Sequence, residues 1–226
     1  RGFKAGHFNP SDASKPDIPG EGFADPEQID SVEAGLSATL WADRIRTSAG
    51  FFFYNYRNLQ VFRVTSSIQG FARVVQSADQ ARNLGVEVDF NISPLEGFVP
   101  EAIEGLNIDL KAGWLQAKFV EFTVREPRLI GTQTLGLPID FSGNTLLNSP
   151  QLKVSAMFTW PFDLGRFGTL TPIYDFTWTD DTPFDPNNGK GEPNPRGVSQ
   201  FPAFTIGARA YMLHNIRLSW VPPGDP

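Results

Sequence analysis

The chain has 226 residues with 21 Gly, 19 Pro and no Cys, which excludes a disulfide scaffold and any Cys-ligated metal site. Its 19 Lys and Arg against 25 Asp and Glu leave a net charge of −6, so the charge balance gives no reason to expect nucleic acid as a partner. A content of 40% hydrophobic residues, with 20 Phe, is too apolar for a disordered chain, while the lack of any unbroken apolar run of about 18 residues excludes a membrane helix and leaves membrane strands open.

Period-two alternation dominates the chain. After a partial strand around Phe3 to Phe8, Val32, Ala34, Leu36, Ala38 and Leu40 alternate with Glu33, Gly35, Ser37 and Thr39. Ile45, Thr47, Ala49, Phe51 and Phe53 then share a face opposite Arg46, Ser48, Gly50, Phe52 and Tyr54. The pattern repeats in Leu84 to Ile92 against Glu87 and Asp89, and in Leu106 to Trp114 against Asp109 and Lys111. It returns in Leu152 to Trp160 against Lys153 and Ser155, in Leu170 to Trp178 against Asp175, and in Ile216, Leu218 and Trp220 against Arg217 and Ser219. This predicts an all-β, antiparallel meander of roughly eight long strands, each long enough to cross a bilayer at a tilt.

The links alternate in length. Short turns are expected near Ala42–Arg44 and from Asp163 to Phe167, with an intermediate one from Ser93 to Glu104. Long polar loops are expected over Pro10 to Asp30, Val64 to Asp79, Arg125 to Asn148 and Asp181 to Pro202. Tight turns on one side and large loops on the other are the habit of outer-membrane barrels, whereas structureless loops of this length count against an ordinary soluble domain. Trp41, Trp160 and Trp220 each close a strand just before a short turn, and Phe51, Phe53, Phe176 and Trp178 are placed nearer the long loops. Two aromatic girdles around an aliphatic band suit the two membrane interfaces.

A soluble β-sandwich that binds carbohydrate would alternate in the same way with its apolar face inward. Against it stand the mid-strand charges Glu33, Arg46, Glu87, Asp89, Asp109, Lys111 and Lys153 and strands longer than the usual five or six residues. A small closed outer-membrane barrel or a passive porin would share both the alternation and the polar inner face. A start at Arg1 and an end in Val221-Pro222-Pro223-Gly224-Asp225-Pro226 read as a piece of something longer.

The phrases Arg1-Gly2-Phe3-Lys4-Ala5-Gly6-His7-Phe8-Asn9, Ser31-Val32-Glu33-Ala34-Gly35-Leu36 and Ala49 through Val61 resemble those of TonB-dependent outer-membrane receptors. Asn83 to Glu87, Phe141 to Pro150 and Asn215 to Trp220 extend the match in the family's order. The iron-complex group is most resembled. The resemblance implies that residues 1–226 are part of the second half of a β-barrel of about 22 strands, with the plug domain and final strands outside this stretch. It further implies active transport of a ferric siderophore or similar small ligand, energised by TonB through the plug, in the outer membrane of a Gram-negative bacterium among its lipids.

Candidate ligand contacts are sought in the long loops, since barrel loops carry specificity. Phe71 and Arg73 in one, and Arg125 and Arg128 in another, could hold an anionic chelate through cations set beside an aromatic ring. No catalytic group or cofactor is expected. His7 and His214 have no metal-ligand partner at close spacing, and no Gly-x-Ser-x-Gly elbow or phosphate loop is present. Asp180, Asp181, Asp185, Asn187 and Asn188 lack the register of a Ca²⁺ loop and read as a surface loop.

Overall fold

A computed structural model describes residues 1–8, 23–67, 70–130, 133–191 and 198–224, with side chains not described within 63–74 and 126–137. Its main feature is a nine-stranded antiparallel sheet. The strands in chain order are β1 (Gly2–Lys4), β4 (Glu27–Leu40), β5 (Ile45–Ser67), β6 (Gly70–Ile92), β7 (Asn107–Glu121), β10 (Leu152–Thr159), β11 (Phe162–Asp163), β12 (Thr169–Thr179) and β15 (Tyr211–Val221). Small two-stranded pairs complete the set: β2 (His7–Phe8) with β3 (Phe23–Ala24), β8 (Thr123–Ile130) with β9 (Gln133–Asp140), and β13 (Thr182–Pro183) with β14 (Gly207–Ala208). Apart from the two-residue stub β11, the members of the large sheet are the eight strands expected from alternation. No second sheet covers the apolar face among the described residues, and no helix is long and apolar enough to cross a membrane.

Register turns the separate alternations into continuous bands. One row of directly opposed residues runs Leu40, Ile45, Ile92, Ile108, Phe158, Tyr174, Ile216. Another runs Leu36, Ala49, Val88, Ala112, Val154, Trp178, Met212. None of these side chains is buried: Leu36 is 72% exposed and Ile216 84%, and most of those on the middle strands are half-buried by their neighbours in the row. Between them, on the opposite face, runs Thr39, Arg46, Asn91, Asp109, Met157, Asp175, Asn215. A one-residue slip anywhere would throw an apolar strand among charges, so facing and register enforce one another.

Two of the expected loops are strands instead. Val64 to Asp79 belongs to a long hairpin, because β5 and β6 each run 23 residues and stay paired from Ile45↔Ile92 to Ser67↔Gly70. Arg125 to Asn148 holds the β8–β9 hairpin, paired from Thr123↔Asp140 to Ile130↔Gln133. The reason is visible at the rows Asp30–Asn55–Arg82–Lys118 and Ile29–Tyr56–Ala81–Phe119. There the formerly apolar face becomes charged and the formerly polar face becomes apolar. Period-two patterning persists with its sign reversed, which read along the sequence looks like the end of a strand.

The reversal builds a dry core on the polar side of the sheet's upper part. Val61, Ala78, Ala81, Ala117, Phe119, Phe122, Val124, Phe141 and Leu146 are buried together, with Tyr56, Leu59 and Leu115 against them. Phe119, Phe122 and Phe141 pack in series as tilted rings, with centroids 4.8 and 5.5 Å apart. Asn58 adopts a left-handed φ of 55° and shifts the alternation by one, which lets Tyr56, Leu59 and Val61 all reach this core. Asn tolerates that conformation better than other non-Gly residues. The segment after β9 completes the lid on Phe119 and Phe122: Phe141 N donates to Phe122 O at 2.8 Å and Gly143 N to Phe119 O at 2.8 Å.

Pro10 to Asp30 lies outside the described residues over 9–22, and β4 begins within its last part. Within Asp181 to Pro202, positions 192–197 are likewise outside, and the remainder is turn-rich around β13.

Candidate functional site

The lower polar face of the sheet carries the groups able to meet a polar partner. Its rows set Arg46 beside Asn91 and Asp109, and Ser48 beside Asp89 and Lys111, around a hollow of about 420 Å³. Each side chain is delivered by strand alternation from β5, β6 or β7, so the positions are as rigid as the ladder that holds them. Ser48 Oγ donates to Asp89 Oδ2 at 3.2 Å, and Asn91 Nδ2 donates to Asp109 Oδ1 at 2.8 Å. Further along, Asn215 Nδ2 donates to Asp175 Oδ2 at 2.6 Å. Among the described residues Arg46 and Lys111 enter no ion pair; the ion pairs there are Arg1–Asp30, Lys4–Glu27 and Arg57–Asp30. The surface is therefore internally hydrogen-bonded on its acidic side and leaves Arg46 and Lys111 to offer beside the hollow.

Midway up the same face an aromatic group intervenes. Phe52 lies over Gly85, where a Cβ would strike its ring, and stacks on Tyr54 at 5.1 Å. Tyr54 Oη donates to Glu33 Oε1 at 2.8 Å. Gly85 thus leaves the space in which a cross-strand ring can lie flat. Alternation places Glu33, Phe52 and Tyr54 on this face, but that they join in one cluster shows only in the folded sheet. The signal was Gly85 directly opposite an aromatic.

At the opposite end from the Asn58 region, short turns tie the strands together. Trp41, Ala42 and Asp43 all have positive φ, and Arg44 N closes the turn on Trp41 O at 3.2 Å. The Arg44 guanidinium lies over Phe98 at 4.6 Å and over Trp41 at 5.5 Å, and its Nε donates to Glu96 O at 2.8 Å. Trp160 Nε1 donates to Ile103 O of the short helix α1 (Glu101–Glu104), and Trp220 Nε1 to Phe167 O, each at 2.8 Å. All three indoles thus sit at the short-turn end and reach a neighbouring turn. Phe51 and Phe53, in contrast, lie in the first half of the long β5 and not near its loop end.

The sequence-derived ligand candidates fall on two separate hairpins. Phe71 and Arg73 are on β6 opposite Ser66 and Val64, and Arg125 and Arg128 are on β8 opposite Pro138 and Leu135. All four are strand residues and not loop residues as expected. The Arg125 side chain is exposed, and the side chains of the other three lie outside the described residues. β8 and β9 form their own sheet, so no ladder joins the two hairpins.

In the loop between β12 and β15, the carboxylates are engaged by local backbone donors. Ala210 N donates to Asp181 Oδ1 at 2.7 Å, Gly189 N to Asp185 Oδ1 at 2.8 Å, and Asp181 N to Asp180 Oδ1 at 2.9 Å. Asn144 Nδ2 donates to Pro186 O at 2.9 Å and Thr145 N to Asn188 Oδ1 at 3.0 Å, which docks this loop on the segment after β9. Among the described residues no group of three or more potential metal ligands gathers. At the turn after β9 Ser142 N donates to Asp140 Oδ1 at 2.8 Å; hydrogen bonds from Ser142, side chain first, hold that carboxyl below the ordinary range.

A single twisted sheet whose bare apolar band backs a hydrogen-bonded polar face is a segment of wall from a large transmembrane β-barrel. The chain belongs to the family described as TonB dependent receptor-like, beta-barrel, which it matches over residues 1–224, a family of Gram-negative outer-membrane proteins. Its fold is similar to that of the ferric yersiniabactin uptake receptor FyuA from Yersinia pestis, with a TM-score of 0.59 at 16% identity over 97% of this chain and 26% of that one. It is also similar to BauA, the ferric preacinetobactin receptor from Acinetobacter baumannii, with a TM-score of 0.54 at 15% identity over 96% of this chain and 25% of that one. The chain thus spans about a quarter of the length of these receptors. No curated protein matches it by sequence.

Proposed function

We propose that the complete protein is an active importer of the outer membrane that takes up a scarce ligand, a ferric siderophore being the best fit, with energy from TonB. Membership of the TonB-dependent receptor family over residues 1–224 carries this reading. Likeness in fold to two receptors for ferric complexes supports the ligand class. The facing of the sheet agrees. The apolar rows suit hydrocarbon, and the hollow beside Arg46 and Lys111 suits a wet lumen that must accommodate a plug.

In this reading the wall segment has three tasks. Its outer rows hold the barrel in lipid. Its inner rows give the plug a polar seat, with Arg46 and Lys111 free to meet carboxylates there. Its long hairpins, including Phe71, Arg73, Arg125 and Arg128, contribute to ligand capture on the outside, where Arg can engage an anionic chelate in bidentate fashion. No chemical step is assigned to any residue, since import of this kind moves its cargo intact.

The test is uptake of labelled ferric siderophores by iron-starved cells carrying or lacking the full gene, with and without TonB. Gene-dependent and TonB-dependent uptake is expected. Gene-dependent uptake that persists without TonB would turn the reading to a passive pore.

A further inference from the structure

The reversal of facing also marks where the apolar band stops on the outer face. The last apolar row there is Val32–Phe53–Leu84, ending in Gln116, and the next is Asp30–Asn55–Arg82–Lys118. Arg82 and Lys118 are directly opposed on neighbouring strands, an arrangement of like charges that disfavours the pairing unless an anion lies between them. Both are exposed, and neither joins an ion pair among the described residues. The Arg82 guanidinium lies 5.7 Å from the Phe53 ring centroid, so it is held at the edge of the apolar band.

Two strands away, Asp30 is shared by two cations, Arg1 at 2.6 Å and Arg57 at 3.4 Å. The nearest further carboxylates among the described residues are Glu121, opposite Gln80, and the exposed Asp79 next to it, both further from the apolar rows than Arg82 and Lys118. A chain of net charge −6 thus gathers a local excess of cations at one level of its outer face. That level faces away from the lumen, where neither plug nor imported ligand can reach it.

We infer that Arg82 and Lys118, with Arg57 beside them, form a docking site for phosphate-bearing headgroups of outer-leaflet lipids, which hold the barrel at a fixed depth. The inference rests on the outer-membrane reading above. Guanidinium and ammonium donors suit phosphate oxygens, and a lipid phosphate is the anion available at the rim of a bilayer.

The full-length protein, reconstituted in vesicles of phosphatidylcholine and a bis-phosphorylated glycolipid, provides the test. Lipid retained through a detergent wash is read by native mass spectrometry, and barrel insertion by heat-modifiable gel mobility. The glycolipid should be enriched on the wild type, and R82Q/K118Q should lose about fivefold of that enrichment for each cation removed. The single K118Q should lose about half of the effect on a logarithmic scale, which keeps the test decisive if the double variant does not insert. K153Q, on the lumenal face, should retain wild-type enrichment. Undiminished enrichment in the outer-face variants, or displacement of the glycolipid by free inorganic phosphate, overturns the inference. A wild type that inserts without lipid preference sinks this inference alone; one that does not insert at all sinks the membrane reading with it.

Discussion

The lower and upper parts of β5, β6 and β7 belong to the same strands yet bury opposite faces. Below the Asp30–Lys118 row, Leu36, Val88 and Leu110 point away from the polar side, toward no other element among the described residues, while Asp89 and Lys111 line a hollow. Above it, Phe119 and Ala81 turn to the side the hollow occupied and pack on Phe122 and Phe141 in a water-excluding core. One strand can do both because each residue's side is set by alternation alone, and the solvent outside changes along its length. In the bilayer the outside is the greasy medium; beyond it the outside is water. The same hydrophobic effect then demands opposite patterns.

This contrast can be broken from either end. The largest effect is expected in the upper core. Phe122→Ala, at a fully buried position, should destabilise the protein by about 3–5 kcal/mol through lost transfer energy and the cavity left behind. Denaturant titration followed by fluorescence would measure it, and a loss below about 1 kcal/mol would deny that this region is a packed core.

The lower band should respond to charge rather than to volume. Val88→Arg or Leu110→Arg should cost about 2–4 kcal/mol in vesicles, whereas Ser37→Arg, on the hollow side, should cost about 1 kcal/mol or less. The informative quantity is the difference between the two faces. Equal tolerance would mean that hydrocarbon does not meet the Leu36–Val88–Leu110 face.

The joint between the two regimes depends on backbone conformation. Asn58 at φ 55° allows the shift in phase, so Asn58→Val should lose roughly 1–2 kcal/mol from left-handed strain alone. Hydrogen exchange should place that loss in the upper hairpin, with β4 and the lower part of β5 unaffected.

The smallest effect concerns pH. Ser142 holds the Asp140 carboxyl below its ordinary value, so its contribution is complete above the unfolded pKa and is lost as pH falls through the lowered folded one. The Ser142 amide should therefore exchange faster, relative to its intrinsic rate, on acidification, and Asp140→Asn should remove most of that pH dependence.

Where strand patterning met a single environment, it was legible in the amino acids. The faces that carry Leu40 and Leu36 follow from alternation, as do the short turns after Trp41 and Trp160. The upper hairpins were not legible for a physical reason. Residues such as Asn55, Arg57, Arg82 and Lys118 are the polar exterior of a water-facing sheet, yet after an apolar strand they look like the start of a loop. Phe119 and Phe122 lie at the break between β7 and β8, and Phe141 reaches them only through the returning segment after β9. Phe71, Arg73, Arg125 and Arg128 have the chemistry of a chelate site in an exposed loop and prove to be strand positions on two hairpins.

The sequence by itself therefore determined that this protein is built of strands with one greasy face, because a two-residue period needs no long-range information. Only the tertiary structure decided which medium each face meets and where along β5 to β7 the exchange occurs. That choice depends on which distant strands stand beside one another, and local alternation carries no record of it.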